Sequence, residues 1–403
     1  MQQCIHELSE DIFVMTAITK TKYHSLATGR LAKGCRLCVT GEKSVFFVTG
    51  NCSCTCFYCP ISDMKKGNDI MYINEMPSHN KKEIIREIEL CGSKGIGITG
   101  GDPLAVYDRT AQYIKTCKKR FGKKFHVHLY TTPKLLDKKR LDLLFSSGLD
   151  EIRLHPSLES KSYWHKISLV LPYLWDIGIE IPSIPGYTKI TKELLDYVYI
   201  LDVKKQITFV NLNELEIADN SFSTVRKRGY KTTSRISYAI KGSDTNAKEI
   251  MNYILNKKYH FAIHFCTARL KDKIQMTKRI QLRAEHIKLS TDIVSREGML
   301  IRGVLYLKEI CPGVHYRKHL EELSEKEKQI FRSKIELLKQ KIGSMVPCTI
   351  DPVKFRILLS KKDVLKHKKF LSTLGCEIAL VEEYPTYDGF EVEVEFLTST
   401  KPL

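Results

Sequence analysis

The sequence predicts an α/β protein, a partial (β/α)6 TIM-like barrel with a small C-terminal α+β domain. Three patterns carry this reading. From Ser44 onward, short β-branched or aromatic runs alternate with longer helical stretches, the signature of repeated βα units around a parallel sheet. Gly and Pro punctuate the strand ends, at Gly100-Gly101-Asp102-Pro103, His155-Pro156 and Ile184-Pro185-Gly186. In βα folds those C-terminal strand ends form the active face. After Leu215 the alternation gives way to a basic stretch and then to a different mix of strands and helices.

Taken in order, the predicted barrel strands are Val45–Thr49, Gly95–Thr99, Phe125–Tyr130, Glu151–Leu154, Ile179–Ile184 and Ile207–Leu212. Helical stretches lie between them at Lys81–Cys91, Val106–Phe121, Lys134–Ser147, Tyr163–Trp175 and Lys192–Val203. A further helix is predicted over Thr267–Arg283. The last domain reads as strands Met299–Lys308, Phe355–Ser360, Glu377–Glu382 and Glu391–Leu397, with helices Glu325–Lys341 and Lys362–Leu374. Four segments result: an extension over 1–43 containing a Cys-x2-Cys pair, a core barrel over 44–223, a basic segment over 224–295 and the terminal domain over 296–403.

The chain has 403 residues, room for two or three domains, and is 43% hydrophobic, which excludes a disordered basic protein. No window approaches 18 consecutive apolar residues, and Met1–Asp11 carries charges where a signal peptide needs an apolar run. The expectation is a soluble, cytoplasmic protein with no membrane partner. The net charge of +19 is concentrated. Residues 224–288 hold 16 Lys and Arg against 4 Asp and Glu, together with Tyr230, Tyr238, Tyr253, Tyr259, His260 and Phe265. Such a block reads either as a surface for polyanions, with Lys271, Lys273, Lys278 and Arg279 as its contacts, or as a solvated basic face.

Thirteen cysteines in a long chain of this kind point to metal or cluster ligation rather than disulfides. The densest run, Asn51-Cys52-Ser53-Cys54-Thr55-Cys56-Phe57-Tyr58-Cys59-Pro60, follows the first strand. Two ligand sets compete. Cys52, Cys56 and Cys59 have the spacing Cys-x3-Cys-x2-Cys, which lets one short loop hold three irons of a cubane and leave the fourth open. Cys35 and Cys38 paired with Cys56 and Cys59, 17 residues apart, have the spacing of a zinc site. Context favours the cluster, because a self-contained zinc clip has no need of the six βα units that follow.

This arrangement resembles the radical S-adenosylmethionine (radical SAM) superfamily, whose signature is Cys-x3-Cys-x2-Cys with an aromatic residue before the third cysteine, here Tyr58. The family also carries a Gly-Gly-Glu-Pro-like motif after the second strand. Here Ile98-Thr99-Gly100-Gly101-Asp102-Pro103 takes that place, with Asp102 where Glu is usual. The resemblance covers about residues 44–218. More narrowly, Gly34-Cys35-Arg36-Leu37-Cys38, the cysteine loop, Ile98–Leu104 and Glu180–Gly186 look like an archaeal group related to pyruvate formate-lyase activating enzymes.

The resemblance implies a [4Fe–4S] cluster on Cys52, Cys56 and Cys59, with S-adenosylmethionine chelating the open iron. An electron from an external donor then gives methionine and a 5′-deoxyadenosyl radical that abstracts hydrogen from a substrate. Gly100 and Gly101 would let backbone carbonyls approach the cofactor's ammonium, with Tyr58, Asp102 and Thr131 as further cofactor contacts. The strand-end residues Tyr130, Thr131, Thr132, Arg153, His155, Ser157, Asn211, Asn213 and Glu214 face the same end, His155 and Asn213 foremost. Cys54 is a spare thiol in the loop. Cys35, Cys38 and Cys266 could hold a second cluster or a zinc ion, and Cys91, Cys117 and Cys376 read as buried small hydrophobes. Three functions compete: a radical enzyme acting on RNA such as tRNA, an activase-like radical enzyme acting on a protein or small molecule, and a non-catalytic zinc-binding nucleic-acid-binding protein.

Overall fold

A computed structural model describes residues 17–397, so the charged Met1–Asp11 stretch lies outside the described residues. The chain forms two compact units, Met1–Glu89 with Ser93–Met276, and Leu90–Gly92 with Thr277–Leu403. Among the described residues no helix is long and apolar enough to cross a membrane.

The first unit is built on seven parallel strands paired in chain order: β1 (Lys43–Phe47), β2 (Gly95–Thr99), β3 (His126–Thr131), β4 (Glu151–Leu154), β5 (Asp176–Ser183), β6 (Ile207–Glu214) and β7 (Ala262–Cys266). Its helices are α1 (Lys33–Val39), α2 (Lys81–Leu90), α3 (Tyr107–Phe121), α4 (Lys138–Ser146), α5 (Thr188–Leu201) and α6 (Ser243–Lys257). The sheet is open. Antiparallel strands cover both edges, Met71–Ile73 and Met76–Ser78 beside β1, Leu26–Ala27 and Thr19–Lys20 beside β7. Capping the edges removes the unpaired backbone groups that invite aggregation.

All six predicted strands are present, and the α/β class and partial barrel hold. The predicted helix over Tyr163–Trp175 is instead a run of 3-10 turns over Trp164–Val170, since Pro172 cannot continue a helix. A seventh unit, α6 and β7, lies inside the expected basic segment, so the chain divides after Met276 and not at residue 224. Its surface charge hid an apolar inner face: Ala247, Ile250, Met251 and Ile254 of α6, and Ile263 and Phe265 of β7, are buried.

Alternation along the strands explains the rest of the packing. Outward residues such as Val127, Leu129, Ile152, Leu154, Ile179, Ile181, Val210 and Leu212 join the helices in one apolar core. The inward face is polar. His128 and Tyr130 of β3, Arg153 of β4, Glu180 of β5, and Asn211 and Asn213 of β6 point there, and α1 fills the space between them. The Gly34 N–H donates to Glu151 Oε2 at 3.0 Å, and Cys35 Sγ accepts from Arg153 and Asn211 at 3.4 and 3.2 Å. A Cβ on Gly34 would come within 2.7 Å of the Arg153 guanidinium, so only glycine allows this approach. Helix α1, within the stretch read as an extension, therefore supplies the barrel's plug.

Arg153, 2% exposed, is the hub of that interior. Its guanidinium reaches Glu151 at 2.5 Å, Glu180 at 2.8 Å and the Tyr130 hydroxyl at 3.3 Å. Burial opposes the ionisation of Glu180, but Arg153 and the amides of Asn213 and Asn211 outweigh it and hold the carboxyl below its usual range.

The second unit is an antiparallel sheet in the order Cys348–Asp351, Arg356–Leu359, Leu300–Tyr306, Glu377–Glu383, Glu391–Phe396. Helices Glu325–Ile342 and Lys361–Ser372 fall close to their predicted spans, the first opened by a capping box of Ser324 and Glu327. The strand Cys348–Asp351 was not predicted; it is only four residues long, with Cys348 and Ile350 packed against the core.

Two outcomes follow. Arg153→Met leaves Glu151 and Glu180 buried without their guanidinium and should destabilise the first unit by about 3–5 kcal/mol in denaturant unfolding; a loss under ~1 kcal/mol contradicts the hub assignment. Burial holds His264 down to about 4 and His128 well below its ordinary value. The unfolded chain takes up those protons first, so stability should fall as pH drops below about 6.5, read as a declining thermal midpoint.

Candidate cofactor site at the cysteine loop

β1 runs into the cysteine loop, and the glycine turn after β2 is zipped against it. The Gly101 and Asp102 N–H groups donate to the carbonyls of Thr49 and Asn51, both at 2.8 Å. A Cβ on Gly100 would lie 2.4 Å from Thr49 O, and one on Gly101 2.3 Å from Asn51 O. The glycines are thus required first for contact between the two loops. They also line a cavity of about 580 Å³ together with Cys52, Cys56, Cys59, Tyr58 and His155.

Asp102, fully buried, does not face that cavity. Its carboxylate accepts from Thr131 Oγ1 at 2.7 Å, Thr132 Oγ1 at 2.8 Å and the Leu104 N–H at 3.0 Å. Burial raises its pKa, against these bonds. The side chains expected at Asp102 and Thr131 as cofactor contacts instead lock the β2 turn to the end of β3, and Thr132 forms the cavity wall. Asn213 likewise turns inward, donating to Glu180 at 3.0 Å.

Tyr58 and His155 do meet at the site. The Tyr58 hydroxyl donates to His155 Nε2 at 2.9 Å, and His155 Nδ1 donates to the Glu180 carbonyl at 2.8 Å. A carbonyl can only accept, so the proton sits on Nδ1 and Nε2 is the acceptor. Burial keeps this imidazole below its ordinary pKa and hence neutral.

Residues without a sequence signal brace the loop from the β6–α6 connection. Asn220 donates to the carbonyls of Cys59 and Ile61 at 2.9 and 2.8 Å, Thr224 N–H donates to Phe57 O at 2.8 Å, and Arg228 lies 3.8 Å over the Phe57 ring. On the other side Lys134 donates to Ser53 O at 2.7 Å, and with Tyr163 and Trp164 it lines a second cavity of about 260 Å³.

The Radical SAM superfamily pattern matches residues 46–160. A Methanocaldococcus jannaschii protein named as a glycyl-radical enzyme activating enzyme is 34% identical over 381 residues, covering 92% of this chain and 94% of its own. The chain belongs to the radical SAM superfamily. Among solved structures it is similar to Streptococcus suis SuiB bound to precursor peptide SuiA, at 16% identity and TM-score 0.38, over 56% of this chain and 48% of that one. The chain thus spans about half the length of SuiB. It is also similar to the Escherichia coli coproporphyrinogen III oxidase HemN, at 11% identity and TM-score 0.36, over 86% and 94%.

This radical SAM enzyme uses a [4Fe–4S] cluster and S-adenosylmethionine. The residues present fit that pair, with three loop thiols and a side-chain-free glycine wall on one cavity. When bound, the reduced cluster supplies the electron that cleaves the sulfonium. The chain's own part is to fix the cysteine loop through Gly101, Asp102 and Asn220, and to hold Tyr58 against a neutral His155. Cys54 also lines both cavities, its thiol 3.8 Å from the Thr132 hydroxyl and against Cys52, and it is the loop position outside the Cys-x3-Cys-x2-Cys spacing.

The other predicted sites are placed differently. All described cysteines are free thiols. Cys91, Cys117 and Cys376 are buried as expected, the last two within apolar clusters, whereas Cys35, Cys38 and Cys266 do not gather at single-ion spacing among the described residues. Of the basic quartet, Lys271 pairs with Glu216, and Lys278 and Arg279 belong to the other compact unit from Lys271 and Lys273. Four aromatics of the block are engaged within the protein, Tyr253 and Tyr259 donating to Asp196, Tyr230 to Pro185 O, and Phe265 buried, whereas Tyr238 is exposed.

Cys52→Ala, Cys56→Ala and Cys59→Ala should each lower the iron and sulfide content of anaerobically reconstituted protein at least about tenfold, as expected for loss of a ligand. Cys54→Ala should leave it unchanged. Equal losses in all four would place Cys54 in the ligand set.

Proposed function

We propose that the enzyme is activase-like: it abstracts hydrogen from the backbone of a protein partner, with an external reductant supplying the electron. The observation that carries this is the near full-length relationship to a protein named as a glycyl-radical enzyme activating enzyme. The interior supports it. With α1 and the Arg153 network filling the lumen, the room left for substrate is at the strand ends, where the 260 Å³ cavity offers Lys134, Glu159, Tyr163 and Trp164 to an extended segment. That opening suits a loop reaching in from a larger molecule.

An RNA substrate is the second reading, favoured by the 16 cations against 4 acids over 224–288. Two of those cations have acidic partners outside the block, as in Arg228–Glu159 and Lys271–Glu216. This leaves less free charge than the count suggests.

The test is deuterium transfer. Reduced enzyme with S-adenosylmethionine is mixed with extract protein from the same cells grown on α-deuterated glycine, and 5′-deoxyadenosine is analysed by mass spectrometry. Deuterated product accompanied by a protein-bound radical signal is expected. Unlabelled product whose formation requires added tRNA would favour the second reading.

A further inference from the structure

The base of the barrel, at the strand ends opposite the cysteine loop, carries a group of side chains that the chemistry above leaves unused. β3, β4 and β5 begin with His126, Glu151 and Asp176, and the register sets Glu151 beside Asp176. One nitrogen or oxygen from each lies within 4.8 Å of the other two. His126 Nε2 stands 3.4 Å from Glu151 Oε2, longer than the roughly 2.7–3.2 Å of a hydrogen bond. Neither ring nitrogen of His126 has a hydrogen-bond partner, although the residue is only 1% exposed. Orphaned buried donors and acceptors are costly, and an ion or water between them is the usual remedy.

Glu151 has one lone pair to give. Its Oε1 belongs to Arg153, while its Oε2 accepts the Gly34 N–H and keeps a second lone pair facing His126. Burial keeps His126 in the neutral, ligating form. Asp176 is exposed and opens the group to solvent.

We propose that His126 Nε2, Glu151 Oε2 and a carboxylate oxygen of Asp176 form a site for a divalent first-row transition cation, with water completing the shell on the Asp176 side. One imidazole with two carboxylates is a donor set for Mn2+, Fe2+ or Zn2+ rather than for a thiophilic ion. The site lies on the face of a βα barrel where stability, not chemistry, resides. Through Glu151 it joins the starts of three strands to Gly34 and hence to the plug α1. Lys33 and Arg36 of α1 act on the same acids and are the competing occupants, while Asp150 adds a further negative charge near His126.

Mn2+ titration of the reconstituted holoenzyme, followed by the EPR signal of free Mn2+ with the cluster in its oxidised, EPR-silent state, tests the proposal. Thiols compete poorly for this ion. The expected result is about one Mn2+ per chain and a thermal midpoint that rises with Mn2+. Asp176→Asn, at an exposed position that does not threaten folding, and His126→Gln should each weaken binding at least about tenfold. Absence of Mn2+ binding, with Lys33 and Arg36 neutralising the acids instead, overturns the proposal. So does equal binding by parent and both variants, which would place the ion elsewhere.

Discussion

Inside the barrel one guanidinium ties four elements together. Arg153 is rooted in β4 and reaches Tyr130 on β3, Glu180 on β5 and Cys35 on α1, while keeping Glu151 of its own strand. A polar lumen is an expensive way to fill a barrel, because every charge there has lost its water. For the carboxylates the cost is offset by pairing: Glu180 takes Arg153, Asn211 and Asn213, and Glu151 takes Arg153 and the Gly34 amide, while both ring nitrogens of the neutral His128 are without a hydrogen bond. The consequence for function is exclusion. With the lumen occupied from below, the chemistry is confined to the strand ends.

At those ends the geometry rests on backbone contact. The cysteine loop and the glycine turn share two main-chain hydrogen bonds, and Asp102 fastens the turn to β3. Glycine at 100 and 101 is needed because the neighbouring carbonyls leave no room for a Cβ. The same bareness leaves that cavity wall open to a ligand. An acidic residue at 102 thus serves the loop whether or not it is the usual Glu, since its oxygens meet hydroxyls and an amide within the protein. The Tyr58–His155–Glu180 chain adds a fixed, uncharged polar edge and links the site to the Arg153 network below it.

Much of this was legible in the sequence because it is written in local pattern. The six strands, most of the helices and the terminal domain follow from periodicity and from Gly and Pro at element ends. The loop cysteines and the glycine turn follow from spacing. What was not legible depends on long-range pairing. The seventh strand, Ala262–Cys266, sits within a charged stretch whose apolar residues Ile263 and Phe265 join the core beneath the helices. The plug α1 has nothing in its own seven residues to announce that Glu151 and Arg153, more than a hundred positions away, will receive it. Asn220 and Arg228 brace the cysteine loop from a connection with no motif. The basic block is a different case: charge counted along the chain does not show the acids outside it, Glu159 and Glu216, that meet Arg228 and Lys271 in space.

Cys52, Cys56 and Cys59, on one loop beside a glycine wall, would together hold a cluster and leave one iron free. The most direct measurement is the EPR spectrum of the reduced protein before and after S-adenosylmethionine is added. The expected spectrum is that of a single reduced [4Fe–4S] centre whose g-values shift on addition, as they would where S-adenosylmethionine binds an iron that the protein leaves free. A spectrum unchanged by S-adenosylmethionine, or a colourless protein holding zinc and no iron, would contradict it.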